Sequence, residues 1–159
     1  QDGKVAALVV QPQVIGEVRG GRPAPRDADQ PQERIPCDVV LMAVGQAVDL
    51  DNGLSVSVDS VQTGLANYDG STVTQITVTY KNNGSSNVSF NSYDWKASDA
   101  NGAQRDETYY TSQENALDYG TLSAGGTVTG TVAFEGDITK VYYYSSIVQS
   151  DSNIAWTLS

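Results

Sequence analysis

Histidine is absent from the 159 residues, which removes the usual neutral-pH general base and the commonest metal ligand. Cysteine occurs once, at Cys37, so neither an intrachain disulfide nor a thiolate zinc site can form. Basic residues are few: nine Lys and Arg stand against nineteen Asp and Glu, a formal net charge of −10. That balance opposes nucleic-acid binding and adsorption to anionic membranes. Long apolar runs are missing too; Val5 to Val10 and Val39 to Val44 are far too short to span a bilayer. No signal-peptide pattern opens the chain, which starts at Gln1 without a methionine, so a processed chain is expected. No stretch keeps helical periodicity for three turns.

What the sequence has instead is period 2. Ile76, Val78 and Tyr80 alternate with Thr77 and Thr79 in the run Val73 to Tyr80, and Lys81-Asn82-Asn83-Gly84 follows as turn punctuation. The next run, Val88 to Lys96, begins after a short polar turn, and the two are expected to form an antiparallel pair. Leu54, Val56 and Val58 alternate with Ser55, Ser57 and Asp59, and Val61 continues after a slip that a bulge would explain. Turns are expected at Asn67-Tyr68-Asp69-Gly70, Asp99-Ala100-Asn101-Gly102 and Leu122 to Gly126. Gln104 to Tyr110 reads as a short edge strand. Val128 to Phe134, Val141 to Ser145 and Ile154 to Leu158 complete the set. Short strands punctuated at this spacing predict an antiparallel β-sandwich.

The first third differs. Residues 1–47 carry five basic and six acidic residues, net −1, whereas residues 48–159 carry four and thirteen, net −9. Two composition regimes suggest two origins. Lys4 to Val10 and, more weakly, Val14 to Val18 read as strands, and Gly20 to Gln32 as a Gly/Pro-rich charged loop without periodicity. Val39 to Val44 has the continuous apolar character of a buried strand. Left unpaired it would be an aggregation template, so it is expected to pair within the chain or with a second copy.

Gly3 to Val10, the Gly/Arg/Pro loop, and Ile35-Pro36-Cys37-Asp38-Val39-Val40-Leu41-Met42-Ala43-Val44-Gly45-Gln46 carry a resemblance. Residues 1–46 resemble part of the NAD(P)H-dependent, FAD-containing oxidoreductases similar to the glutamate synthase small subunit. The resemblance implies a β-meander that closes a pyridine-nucleotide half. The dinucleotide fingerprint Gly-x-Gly-x-x-Gly is absent from the chain, so no pyrophosphate cradle and no cofactor residue is expected.

A second resemblance covers residues 45–159. It rests on Val44-Gly45-Gln46-Ala47-Val48, Asn52 to Val61, Tyr80-Lys81-Asn82-Asn83-Gly84, Ser98 to Gly102 and Leu122 to Phe134. These stretches resemble the uncharacterised immunoglobulin-like domain of bacterial surface lipoproteins, related to a mycobacterial immunoprotective extracellular antigen. The resemblance implies an extracellular or cell-surface location and transfers no catalytic residue. Val44-Gly45-Gln46 fits both families, which places a fusion junction there.

Several groups of residues invite chemistry. Asp49, Asp51 and Asn52 are spaced like the start of a calcium loop, but Leu54-Ser55-Val56 enters a strand where further ligands would be needed, and an Asx-type turn is the competing account. Asp99, Asn101 and Gly102 suit a tight hairpin equally well. Tyr109-Tyr110, Tyr119 and Tyr142-Tyr143-Tyr144 could form an aromatic platform for glycan or peptide; the alternative is core filling by alternate rings. Trp95 and Trp156 read as core anchors. Glu107 and Glu114 have no spacing that demands a glycosidase pair. Cys37 reads as a buried small hydrophobe, and Arg19, Arg22 and Arg26, interleaved with acids, as a solvated loop.

The expectation is therefore an all-β protein: an immunoglobulin-like sandwich over residues 46–159, with a β-hairpin or meander appendage over residues 1–45. No catalytic, cofactor or metal residues are assigned. The expected role is a non-enzymatic binding or structural module with a protein or glycan partner, no nucleic acid, and edge-strand dimerisation as an option. An oxidoreductase fragment is the alternative.

Overall fold

The computed structural model describes residues 7–10, 12–19, 22–36, 41–50, 52–144 and 154–158. The chain divides into two compact units, Gln1–Val40 and Leu41–Ser159. In the first, β1 (Ala7–Val10) pairs antiparallel with β4 (Glu33–Pro36), and β2 (Gln13–Arg19) pairs antiparallel with β3 (Arg22–Asp27). The strand at Arg22–Asp27 corrects the expected loop. Pro23 and Pro25 lie two residues apart, so both missing N–H groups fall on one edge of the strand and pairing proceeds through the other. Cys37 to Val40 fall outside the described residues, as do the side chains of Arg19, Arg22 and Arg26.

The second unit holds the expected sandwich. Its strands are β5 (Leu41–Ala43), β6 (Ala47–Asp49), β7 (Leu54–Ala66), β8 (Thr72–Asn82), β9 (Val88–Asn91), β10 (Trp95–Ser98), β11 (Gln104–Arg105), β12 (Tyr119–Leu122), β13 (Thr127–Glu135), β14 (Lys140–Tyr143) and β15 (Ile154–Thr157). One sheet has the order β13-β8-β7-β6 and another β11-β10-β14-β15-β5, with β12 and β9 as a separate pair. The pairings are antiparallel except β5 with β15, which is parallel. Leu41–Ala43 of the apolar run thus finds a partner within the chain.

Alternation sets the core. Val56, Val58, Ile76, Val78, Tyr80, Val132 and Phe134 of the first sheet meet Trp95, Val141, Tyr143, Ile154 and Trp156 of the second, all buried. Trp95 lies 5.4 Å from both Trp156 and Tyr143, and its indole N–H donates to the Tyr80 hydroxyl at 2.7 Å. The Tyr80 hydroxyl in turn donates to the Asn91 carbonyl at 3.2 Å, so these two buried rings keep their polar handles satisfied. The slip in β7 is real: the register with β8 shifts between Val58 and Ser60 and again between Gln62 and Leu65.

The expected pairing of Val73–Tyr80 with Val88–Lys96 does not form. β8 pairs with β7 and β13, while β9 pairs with β12 and passes through a 3-10 turn (Ser92–Asp94) into β10 of the other sheet. Asn82 explains the departure. Fully buried, its Nδ2 donates to the carbonyls of Ser86 at 2.8 Å and Leu122 at 3.0 Å, and its Oδ1 accepts from the Gly84 N–H at 3.0 Å. The chain after β8 is clasped onto the Leu122–Gly126 turn instead of folding back as a hairpin; the Gly125 N–H also donates to the Asn82 carbonyl at 2.9 Å.

The Asp99–Gly102 turn forms as expected. Asp99 Oδ1 accepts from the N–H groups of Asn101 and Ala103, and Gly102 takes φ +82°. The expected edge strand Gln104–Tyr110 is reduced to Gln104–Arg105. Beyond it the chain runs along the outer edge of β13: Thr108 donates to Ala133, Leu117 to Thr131, and Thr131 back to Asn115. That segment caps an edge which would otherwise offer unpaired backbone groups. Gly130 permits the approach, since a Cβ there would lie 2.8 Å from Leu117 Cα.

Candidate functional site

The tyrosines separate into two groups. Tyr143 and Tyr144 are buried, and Tyr142 bonds Ser98 through its hydroxyl at 2.9 Å, so Tyr142–Tyr144 is no open platform. Tyr109 and Tyr119 are 71% and 73% exposed. Tyr68, which sequence reasoning placed in a turn and did not single out, is 75% exposed and stands 6.3 Å from Tyr109 in an edge-to-face arrangement. The two rings come from segments about forty residues apart.

Asn67 joins those segments. Its backbone N–H donates to Ser71 and its carbonyl accepts from Gly70, closing the β7–β8 turn, where Gly70 takes φ +83°. Its side chain reaches across: Nδ2 donates to the Tyr109 carbonyl at 2.9 Å, and Oδ1 accepts from Thr111 N–H and Thr111 Oγ1, each at 3.2 Å. The same Oδ1 accepts from the Tyr68 N–H at 3.0 Å. One amide thereby ties together the backbone of the two segments that carry the exposed rings. Next to them Asp69 Oδ1 accepts from the N–H and hydroxyl of Ser71, which hold its carboxyl below the usual carboxylate range. The second segment is anchored farther on, where Gln113 Nε2 donates to the Thr131 carbonyl at 2.8 Å and Thr131 Oγ1 donates to the Glu114 carbonyl at 2.7 Å.

The carboxylates stand in different surroundings. Glu107 is half-buried beside the Ser92 hydroxyl, and burial pushes its carboxyl up. Glu114 is exposed. Asp94 is pushed up to about 6 by burial, partly offset by the backbone N–H of Asn91. It packs beside Tyr80 and Tyr143, and their phenols are pushed up by burial first and by neighbouring charge second. Among the described residues, no group of three His, Cys, Asp or Glu side chains converges as a metal site would require. Asn52 Oδ1 accepts from the Leu54 N–H at 3.0 Å, the bond of an Asx-type turn, and Asp49 is exposed; Asp51 lies outside the described residues.

Residues 42–154 match the family described as a domain of unknown function, DUF4352. The chain belongs to that family. Three solved structures share its fold. A secreted protein of Mycobacterium tuberculosis, MPT63, is 15% identical, with a TM-score of 0.61 over 75% of this chain and 97% of that one. The yjhA protein of Bacillus subtilis is 19% identical, with a TM-score of 0.58 over 74% of this chain and 100% of that one. A Bacillus subtilis protein described as a lipoprotein, ycdA, is 19% identical, with a TM-score of 0.57 over 70% of this chain and 38% of that one. No curated protein matches the chain by sequence. The DUF4352 match begins at Met42 and lends no support to the oxidoreductase resemblance of residues 1–46.

Proposed function

We propose that this DUF4352 chain is a non-enzymatic binding module that acts outside the cell or at its surface. The observation that carries the reading is the Tyr68–Tyr109 pair: large exposed rings on two segments that Asn67 ties together. Two exposed aromatic side chains brought side by side from separate segments support an interaction site. The two segments, Asn67-Tyr68-Asp69-Gly70-Ser71 and Tyr109 to Asn115, have the Tyr, Ser, Asn and Gly content of antibody contact loops. There rigid tyrosines supply contact area at small entropic cost, and short polar residues adapt. The location draws support from the shared fold of secreted MPT63 and of ycdA, described as a lipoprotein. Fold alone names no ligand. The appendage of separate origin, expected to end at residue 45, is read as ending at residue 40, because Leu41–Ala43 pairs with the sandwich strand Ile154–Thr157 and the family match starts at Met42.

Peptide and glycan arrays probed with the labelled 159-residue chain test the module reading. Saturable binding to a restricted set of probes is expected. Uniform background on both arrays would refute it and leave a structural spacer.

A further inference from the structure

We infer that the Tyr68–Tyr109 end of the sandwich is a docking site for a basic peptide segment, one that presents Arg or Lys side chains. The inference rests on the binding-module reading and adds a place and a partner chemistry. Residues 67–71 and 106–119, the two segments that Asn67 ties together, contain Asp69, Asp106, Glu107, Glu114 and Asp118 and no Lys or Arg. Among the described residues, the one cation bonded to this group is Lys96, which holds Asp106 at 2.7 Å. Asp69, on the turn that carries Tyr68, and the absence of basic residues from both segments favour a cation at the exposed π-faces twice. The negative potential steers it in, and the ring quadrupole then holds a guanidinium or ammonium over the ring. An anionic partner would be repelled by the same field.

The geometry is suited to short-range selection as well. Asn67 spends both polar atoms of its side chain inside the protein, so it positions the rings and is not itself a ligand contact. Little ordering of the two backbone segments is then left to be done on binding, and that preorganisation favours affinity. Tyr68 and Tyr109 would serve as the aromatic anchors, with Asp69 on the adjoining turn supplying charge complementarity.

Amide-resolved NMR titration of the 159-residue chain tests the inference with three probes: a Gly-Arg-Gly-Ser repeat peptide, its Arg→Glu counterpart, and a neutral N-acetylglucosamine hexamer. The Arg peptide is expected to shift the amides of Asn67–Ser71 and Tyr109–Thr111, weakening as salt rises. Tyr68→Ala with Tyr109→Ala should weaken it by about tenfold or more with the melting temperature held, while Tyr→Phe at both positions restores binding. Asp69→Asn with Glu114→Gln should flatten the salt dependence. An Arg-peptide response indifferent to the Tyr→Ala pair would reduce the site to diffuse attraction by an acidic surface and overturn the inference. So would shifts of these amides by the hexamer and not the peptide, which would assign the site to glycan. Shifts confined to other amides would remove this site while sparing the module reading. With no response to any probe the inference falls, and the arrays decide the module reading separately.

Discussion

Asn82→Ala removes the clasp that turns the chain away from a hairpin after β8. The side chain supplies two donated bonds and one accepted bond, and the residue is fully buried. Loss of the Leu122 bond strands a carbonyl in the interior, at about 2 kcal/mol, and the more accessible Ser86 and Gly84 partners add roughly 1 kcal/mol between them. A total of about 3 kcal/mol is a large share of a stability of roughly 5–15 kcal/mol, and should lower the melting temperature by roughly 10 °C. Asn82→Asp separates the electrostatic part. It keeps the acceptor for Gly84 but aims an oxygen at the carbonyls of Ser86 and Leu122, so its folded pKa must rise above the unfolded value of about 4. The folded state then binds more protons, and stability relative to wild type is retained below pH 4 and lost as pH rises through the folded value. Urea denaturation of wild type and both variants at pH 4 and pH 7 reads both effects. A cost under about 1 kcal/mol for Asn82→Ala, or an Asn82→Asp deficit that is flat with pH, would refute the clasp.

Asp94→Asn should stabilise the chain at pH 7 and do nothing below pH 4. The native carboxyl is raised to about 6, so ionisation between roughly pH 4 and 6 costs stability that the amide does not lose. Because the group is partly exposed, about 1 kcal/mol is expected; an equal effect at both pH values in urea titrations would count against it. Gly130→Ala places a Cβ 2.8 Å from Leu117 Cα and 2.9 Å from Leu117 Cβ, so about 1–3 kcal/mol is expected. Hydrogen exchange should quicken at the Leu117 amide, which donates to Thr131, and unchanged protection there would contradict the edge-cap geometry. Trp95→Phe removes the indole donor to the Tyr80 hydroxyl and part of the central ring cluster. A loss of about 2–3 kcal/mol by thermal melting is expected, and a neutral result would mean that the cluster repacks.

Strand existence was legible wherever alternation was clean. Leu54-Ser55-Val56-Ser57-Val58 and Ile76-Thr77-Val78-Thr79-Tyr80 fix their inward faces, because a slip of one residue would move every apolar side chain outward. Partner choice was not legible. Short apolar runs separated by a polar turn look like a hairpin, and the competing signal at β8 was a single Asn whose three side-chain partners lie up to forty residues away. Arg22–Asp27 was obscured by its prolines, which argue against a strand until the free edge is considered. Tyr109 stood out by composition, yet its exposure depends on which side of an irregular segment faces β13, and that of Tyr119 on the face it takes at the start of β12. Tyr68 was hidden inside a turn, and only the Asn67 bonds to Tyr109 and Thr111 bring it to its neighbour.

The stretches that resemble a family turn out to be joints. Gly45 takes φ +85° and donates to the Val58 carbonyl, while Trp156 Nε1 donates to the Gln46 carbonyl, so Val44-Gly45-Gln46 carries the chain from β5 in one sheet to β6 in the other. Asn52-Gly53 locks against Asn83-Gly84: a Cβ on Gly53 would lie 2.8 Å from Gly84 Cα, and the Asn83 N–H donates to the Gly53 carbonyl. Gly125-Gly126 closes on Asn82. All three demand particular residues for backbone reasons, and none touches Tyr68 or Tyr109. A family likeness built on these joints therefore transmits the scaffold and does not by itself carry the proposed binding preference, which rests on the loops. Grafting residues 67–71 and 106–119 from another DUF4352 domain should accordingly preserve the cooperative unfolding of this sandwich and replace its binding preference with the donor's. A graft that folds and keeps the original preference would place the determinant elsewhere on the domain.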